Sequence, residues 1–268
     1  MSDSFFTSTN NEWFQPTQHT RGPWDENACH AGPPTGLLAR AVEQLLPAQR
    51  LSRLTVNLLR PVPFEGFRVE ATILRQGRTV SLSEARLIDN LGKVVITASG
   101  LHLTTVEQIE LPTFHRSFGS PEDAQVGDFP IRDTLHEKPA FNGCGVEVRY
   151  PEGQTPLPGP TTAWLKTVPL LNYETPTPFQ RICPLADCGN AFGRNAEPAD
   201  VTFMNTDLTV VLHRDPDGEW LGTKSVGYWE PNGIGLADAL LFDEHGVVGR
   251  AMQTLILRKR HGKSDDEK

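Results

Sequence analysis

The sequence predicts an α+β fold built twice over: two tandem units, each an antiparallel sheet wrapped around one central helix. Three observations predict it. LTVNLLRP at Leu54 recurs as LTVVLHRD at Leu208, 154 residues later. The same spacing separates Leu82 from Leu236, Gly92 from Gly246 and Leu103 from Leu257, so two copies of one unit explain the match better than chance identities. The first copy also carries one helical pattern followed by four strand-like runs joined by short turns, the order that folds a meander over a single helix.

Each element has its own signal. Pro33-Pro34 suit a first helical turn, whose N–H groups have no intrahelical partner. Over residues 35–46 the apolar Leu37, Leu38, Ala41, Val42, Leu45 and Leu46 recur at helical spacing, and Pro47 stops the run. LTVNLLR, FRVEATIL, TVSLSEARLI and KVVITASGLHL follow, rich in β-branched residues and divided by turns at 61–66, 76–77 and 90–92. Short strands at 146–149 and 163–166 open the second copy. Pro112, Pro121 and Pro130 punctuate a stretch with little periodicity, read as a connecting segment. The expected organisation is an N-terminal unit over 1–105, a connecting segment over 106–142, a C-terminal unit over 143–262 and a polar tail over 263–268.

With 268 residues, 38% hydrophobic and 22% charged, the chain is long enough for two cores of ordinary size. Its formal charge of -8 argues against nucleic acid or an anionic membrane as the main partner. Residues 1–9 lack a basic region leading into an apolar one, and no 18-residue apolar run follows, so neither export nor a membrane span is predicted and a cytoplasmic location is expected. Cys29, Cys144, Cys183 and Cys188 form no C-x-x-C pair; reduced structural thiols are expected, and no metal site.

The motifs His30-Ala-Gly-Pro-Pro-Thr-Gly-Leu-Leu and Leu58-Leu-Arg-Pro61 in the first half carry a resemblance to a known family. So do Val146-Glu-Val-Arg149, Trp164-Leu-Lys166, Leu185-Ala-Asp187 running to Phe192, Asp207 running to Arg214, and the Gln253 strand in the second. In this order and spacing the chain resembles the acyl-CoA thioesterase II family, whose fold is a double hot dog. That resemblance implies a cofactor-independent hydrolase of lipid metabolism acting on acyl-CoA, with its site between the halves and with further pairing of chains into a homo-oligomer. It also implies an Asp at the start of the second helix, a Thr or Ser before the next strand and a Gln on the last strand, together orienting a water. Asp187 and Gln253 match the first and third; Asn205, with Thr206 beside it, stands where the hydroxyl is expected.

The chemistry can be read independently of the family. Asp187 lies in CPLADCGNAFG, with no Lys or Arg nearer than Arg181 and Arg194. A carboxylate among small apolar neighbours and neutral amides has its charged form disfavoured and becomes a better base. The helix that Asp187 opens points unpaired backbone N–H groups outward, and the amides of Cys188, Gly189 and Asn190 are candidates for an oxyanion site. Gln253 shares strand parity with Leu255 and Leu257, an inward face, and needs a buried partner. The bland alternative is that Asp187 is an ordinary N-cap. Subtracting 154 pairs Asp187, Asn205 and Gln253 with Pro33, Leu51 and Ser99, none of which keeps the polar group, and this asymmetry favours one working site.

Two further functions are weighed: a non-catalytic acyl-CoA binding protein, and a hydratase using Asp25 and His30 of the D-x-N-x-x-H pattern, with His30 otherwise a structural residue at the helix entrance. Thr206, Lys166 and Arg258 are candidate substrate contacts, as are Arg75 and Arg78. The basic run of Arg258, Lys259, Arg260, His261 and Lys263 suits coenzyme A phosphates or a solvated tail. Trp24, Trp164, Trp220 and Trp229 are read as core or rim.

Overall fold

A computed structural model of the chain describes residues 4–8, 12–107, 109–131 and 136–260; the polar tail and the basic His261 and Lys263 lie outside them. In chain order the strands are β1 (Phe6–Ser8), β2 (Trp13–Pro16), β3 (Ala28–Cys29), β4 (Arg50–Leu58), β5 (Val62–Pro63), β6 (Phe67–Arg75), β7 (Val80–Ile88) and β8 (Val94–Leu103). They continue with β9 (Gln125–Gly127), β10 (Val146–Tyr150), β11 (Thr161–Thr167), β12 (Val201–Asn205), β13 (Asp207–Leu212), β14 (Leu221–Trp229), β15 (Ile234–Asp243) and β16 (Gly246–Lys259). The α-helices are α1 (Gly32–Leu45), α2 (Pro178–Ala186) and α3 (Gly189–Phe192).

The two copies share one sheet. Among the described residues fourteen strands join in the order β1, β2, β6, β7, β8, β4, β13, β16, β15, β14, β11, β10, β9, with β12 added beside β16. The seam is the antiparallel pair β4 and β13, in which Thr55 faces Thr209 and the Thr209 hydroxyl donates to that of Thr55 at 3.3 Å. These two residues are 154 apart, so the sequence repeat is a pseudo-twofold axis through the seam. The register holds strand by strand: β6 shifted by 154 residues coincides with β14, and β7 and β8 fall on β15 and β16. Each half curls its apolar face over helix, giving the double hot dog. Even part of the predicted connecting segment is ordered, with β9 pairing β10 and with Phe129 and Ile131 buried. No helix among the described residues is long and apolar enough to cross a membrane.

The helices break the register. α1 starts at Gly32 and α2 at Pro178, a spacing of 146, because the second half inserts a turn and β12 between its helices and the seam strand. The pairing of Asp187 with Pro33 is therefore corrected: at the helical spacing Asp187 matches Ala41. The nearest acid on α1 is Glu43, whose carboxylate accepts from the Thr177 hydroxyl and the Gln180 amide and ties α1 to the first turn of α2.

Asp187 neither opens a helix nor caps one at its N-terminus. Thr177 is the N-cap of α2, accepting from Gln180 N with its side chain, and Asp187 follows the last residue of α2 with φ -77° and ψ -7°. Pro184 inside α2 has no N–H to continue the ladder, and the helix ends two residues later before resuming as the short α3. α1 and α2 touch at two glycines. A Cβ on Gly32 would stand 2.9 Å from the Pro184 backbone and 3.1 Å from Asp187 Cβ, and one on Gly36 would meet Leu170 and the Gln180 carbonyl. The contact brings the first turn of α1 against Asp187. Replacing Gly32 by Ala is expected to lower stability by about 1–3 kcal/mol, because the opposing atoms are backbone and cannot swing away. Urea denaturation checks this, and an unchanged midpoint would contradict it.

Candidate active site

Asp187 is 3% exposed, and every polar contact it makes is to a neutral group. Its Oδ1 accepts from Asn205 Nδ2 at 2.8 Å and from Gln253 Nε2 at 3.0 Å. Its Oδ2 lies 3.2 Å from His30 Nδ1, and the Gly32 N–H at the start of α1 donates to that His30 nitrogen at 3.2 Å and also faces the carboxylate. Gln253 stands on the inward face of β16 between buried Ala251 and Leu255; its Nε2 also donates to Asp187 O at 3.0 Å, and its Oε1 accepts from Asn190 N at 2.9 Å. Asn205 ends β12, beside the seam. The inserted strand thus delivers an amide where the resemblance implies a hydroxyl, and that amide donates to the acid.

Burial pushes the Asp187 carboxyl up to about 7, against the downward pull of its bonds from Asn205, Gln253 and Gly32. Its place at the C-terminal end of α2 acts in the same direction as burial, since the helix dipole disfavours an anion there. Burial drives His30 the other way, down to about 4, so the imidazole is neutral near pH 7. Its ring stacks on Phe141 at 4.2 Å between centroids.

A cavity of about 490 Å³ opens onto this cluster, within the range of small-molecule sites. Its walls are apolar, with Trp24, Phe129, Ile131, Phe203 and Ile256 prominent; His30, Asp187, Asn190, Asn205 and Thr206 supply polar groups on one side, and Asp25 and Arg60 also line it. Among the described residues no cluster of His, Cys, Asp or Glu is placed to hold a metal ion.

The structure brings Asp187, Asn205, Gln253 and Thr206 together and leaves other sequence candidates elsewhere. Lys166 pairs with Glu219 at 2.6 Å and lines a separate pocket, and Arg258 turns its guanidinium to the Leu257 carbonyl. Of the backbone amides considered for an oxyanion site, Cys188 N–H is taken by Leu185 O and Asn190 N–H by Gln253 Oε1. Gly189 packs against Gln253 and does not line the cavity. Asn190 instead presents its side-chain amide, which has no partner among the described residues. Asp25 does not pair with His30: its Oδ1 accepts from Asn27 N in a local turn, and the acid beside His30 is Asp187. Trp164 is fully buried, Trp220 lies under the Arg149 guanidinium, and Trp229 packs on Phe203.

Sequence reasoning missed His30 as a neighbour of Asp187, the Asn190 side chain, and Arg60 at the cavity. The available signal for His30 was its place two residues ahead of a glycine that opens a buried helix.

The family model described as acyl-CoA thioesterase N-terminal domain matches residues 20–103, and the one described as acyl-CoA thioesterase C-terminal domain matches residues 121–257, just over half of the chain. Among curated proteins nothing matches in sequence. Among solved structures, a conserved protein of unknown function with a hot dog fold from Alicyclobacillus acidocaldarius is 16% identical, with 97% of this chain and 98% of that one covered and a TM-score of 0.71. An acyl-CoA thioesterase II from Mycobacterium marinum is 16% identical over 96% and 97%, with a TM-score of 0.66. The tesB protein of Mycobacterium avium subspecies paratuberculosis is 14% identical over 94% and 95%, with a TM-score of 0.65. Identities this low show a shared fold.

A carboxyl whose folded value is raised from 3.8 to about 7 makes folding less favourable as pH rises between those values, because the buried group must either hold its proton or carry an unpaired charge. Asp187→Asn is therefore expected to be more stable than the wild type at pH 8, by about 2–4 kcal/mol, with the difference vanishing toward pH 4. Thermal melts of the two proteins across pH test this; a variant less stable at pH 8 would count against a strained acid.

Proposed function

The chain belongs to the acyl-CoA thioesterase family, and on that premise we propose that it hydrolyses acyl-CoA thioesters to the free acid and coenzyme A, with Asp187 as the acid–base centre of the reaction. The observation that carries this reading is a buried carboxyl titrating near neutrality, held by neutral amides at the edge of an apolar cavity. Hydrolysis needs a water made nucleophilic, a donor for the charge that develops on the carbonyl oxygen, and a dry place for the acyl chain. Asp187 supports the first, with Gln253 and Asn205 fixing its orientation. The Asn190 side-chain amide suits the second, and the aromatic and aliphatic walls suit the third. Arg60, exposed and lining the cavity, is suited to a phosphate of coenzyme A.

The same cluster accommodates the change from hydroxyl to Asn205, since an amide N–H donates to the carboxylate as a hydroxyl would. The asymmetry of the halves agrees: α1 has no acid at the Asp187 position, and its Glu43 is spent on tying the helices together.

Free thiol released from coenzyme A esters of graded chain length tests the reading. Release is expected with wild type, and Asp187→Asn is expected to lower kcat by about 10²–10⁴ while retaining the fold. Binding of every ester without release would instead make the chain an acyl-CoA binding protein. Arg60→Glu is expected to raise KM for the coenzyme A ester several-fold and to leave KM for a short thioester lacking the nucleotide unchanged; equal effects on both would remove Arg60 from phosphate recognition.

A further inference from the structure

Most of the acceptor capacity of Asp187 is already engaged. A carboxylate offers about four lone-pair positions over its two oxygens. On Oδ1, Asn205 Nδ2 at 2.8 Å and Gln253 Nε2 at 3.0 Å take both. Oδ2 lies 3.2 Å from His30 Nδ1, and the Gly32 N–H, which donates to that nitrogen at 3.2 Å, also faces the carboxylate. The carboxyl is buried, and its Oδ1 has no position left for a water.

His30 is placed differently. Its ring lines the cavity, its Nδ1 faces Asp187, and among the described residues no group bonds its Nε2. Phe141 stacked on one face fixes the plane of the ring, and the Gly32 N–H donates to Nδ1 at 3.2 Å. With the carboxylate ionised, a bare Nδ1 would set its lone pair against Oδ2, so the proton of the neutral imidazole belongs on Nδ1, pointing at Oδ2, and the Gly32 N–H passes from that nitrogen to the carboxylate it also faces. The tautomer this selects has a bare lone pair on Nε2, the far nitrogen of a ring that lines the cavity.

We infer that His30 Nε2 is the atom that takes the proton of the attacking water, with Asp187 as the buried partner that sets its tautomer and stabilises its charge. The inference rests on the thioesterase reading and changes which side chain touches the reacting atoms. Water oxygen bonds to the thioester carbonyl carbon, the carbonyl electron pair moves to oxygen, and the water proton passes to Nε2. The pair on that oxygen then re-forms the carbonyl as the C–S bond breaks with its electron pair on sulfur, and the Nε2 proton passes to that sulfur. The products are the carboxylic acid and the coenzyme A thiol, and His30 ends as it began. The D-x-N-x-x-H histidine is thus catalytic, with an acid from the other half of the molecule and not with Asp25.

The pair titrates as a unit. The charged and titratable groups around it are Cys183 and Cys188, whose thiols burial pushes well above their usual value; Asp25 and Arg60, which line the cavity; and Asp207, whose carboxylate accepts from Thr254 N. Wild-type kcat/KM is expected to rise with pH through about 7, as the pair gives up its one excess proton.

The test uses the full chain and a coenzyme A ester that the wild type cleaves. His30→Gln keeps an amide against Asp187 but cannot carry a proton; with its circular dichroism unchanged, it is expected to lose at least about 100-fold in kcat, with KM within about threefold and with the pH step near 7 gone. His30→Ala is expected to regain activity on addition of imidazole, a rescue that a structural role would not show. Wild-type kcat and pH profile in either variant, beside an inactive Asp187→Asn, would overturn the role of His30 and leave the thioesterase reading standing. No hydrolysis by the wild type would overturn both.

Discussion

The Asp187 carboxyl is buried where two helices from different halves of the molecule touch, and no Lys or Arg among the described residues pairs with it. Much of the surrounding structure follows from that constraint. An isolated buried charge costs several kcal/mol, so the site must supply neutral donors from every direction or keep the group protonated. It does some of each. Asn205 arrives on β12, Gln253 on β16, and Gly32 on the first turn of α1, and the carboxyl still holds its proton to about pH 7.

The fold makes that convergence possible through one broken symmetry. The strands of the two halves obey a pseudo-twofold through Thr55 and Thr209, which sets β4 against β13 and fuses two sheets into one. The helices do not, because the second half spends residues on β12 before returning to the seam. That insertion brings Asn205 to the acid, and Pro184 ends α2 so that Asp187 falls at a helix break. Gly32 and Gly36 then let α1 approach until its first turn and His30 close over the carboxyl. The mirror position on α1 gained none of this: Glu43 is consumed by Thr177 and Gln180.

What was legible in the sequence divides along physical lines. The strands of the repeat were, because their periodicity is local and the repeat supplied two readings of each; the span of β6 maps onto β14 without a gap, whereas the inserted β12 has no counterpart and was not foreseen. Asp187 and Gln253 were, because an acid among small residues and an amide on an apolar strand face are conspicuous. The helix register was not, since Pro184 and the glycines after it hide a helix that begins at Pro178, nine residues before the acid. Neither was the partner of His30, because nothing local tells that residues 157 apart meet across a helix crossing. The nearby Asp25 supplied a false partner, and Lys166, a plausible cation by sequence, is engaged by Glu219.

A buried acid poised near neutrality can be observed without turnover. Difference infrared spectra of wild type against Asp187→Asn, titrated from pH 4 to 9, isolate the protonated carboxyl band of Asp187. A band present in acid and lost with a midpoint near pH 7 is the expected result. A carboxyl already ionised at pH 5 would show an ordinary, solvated acid in place of a buried one.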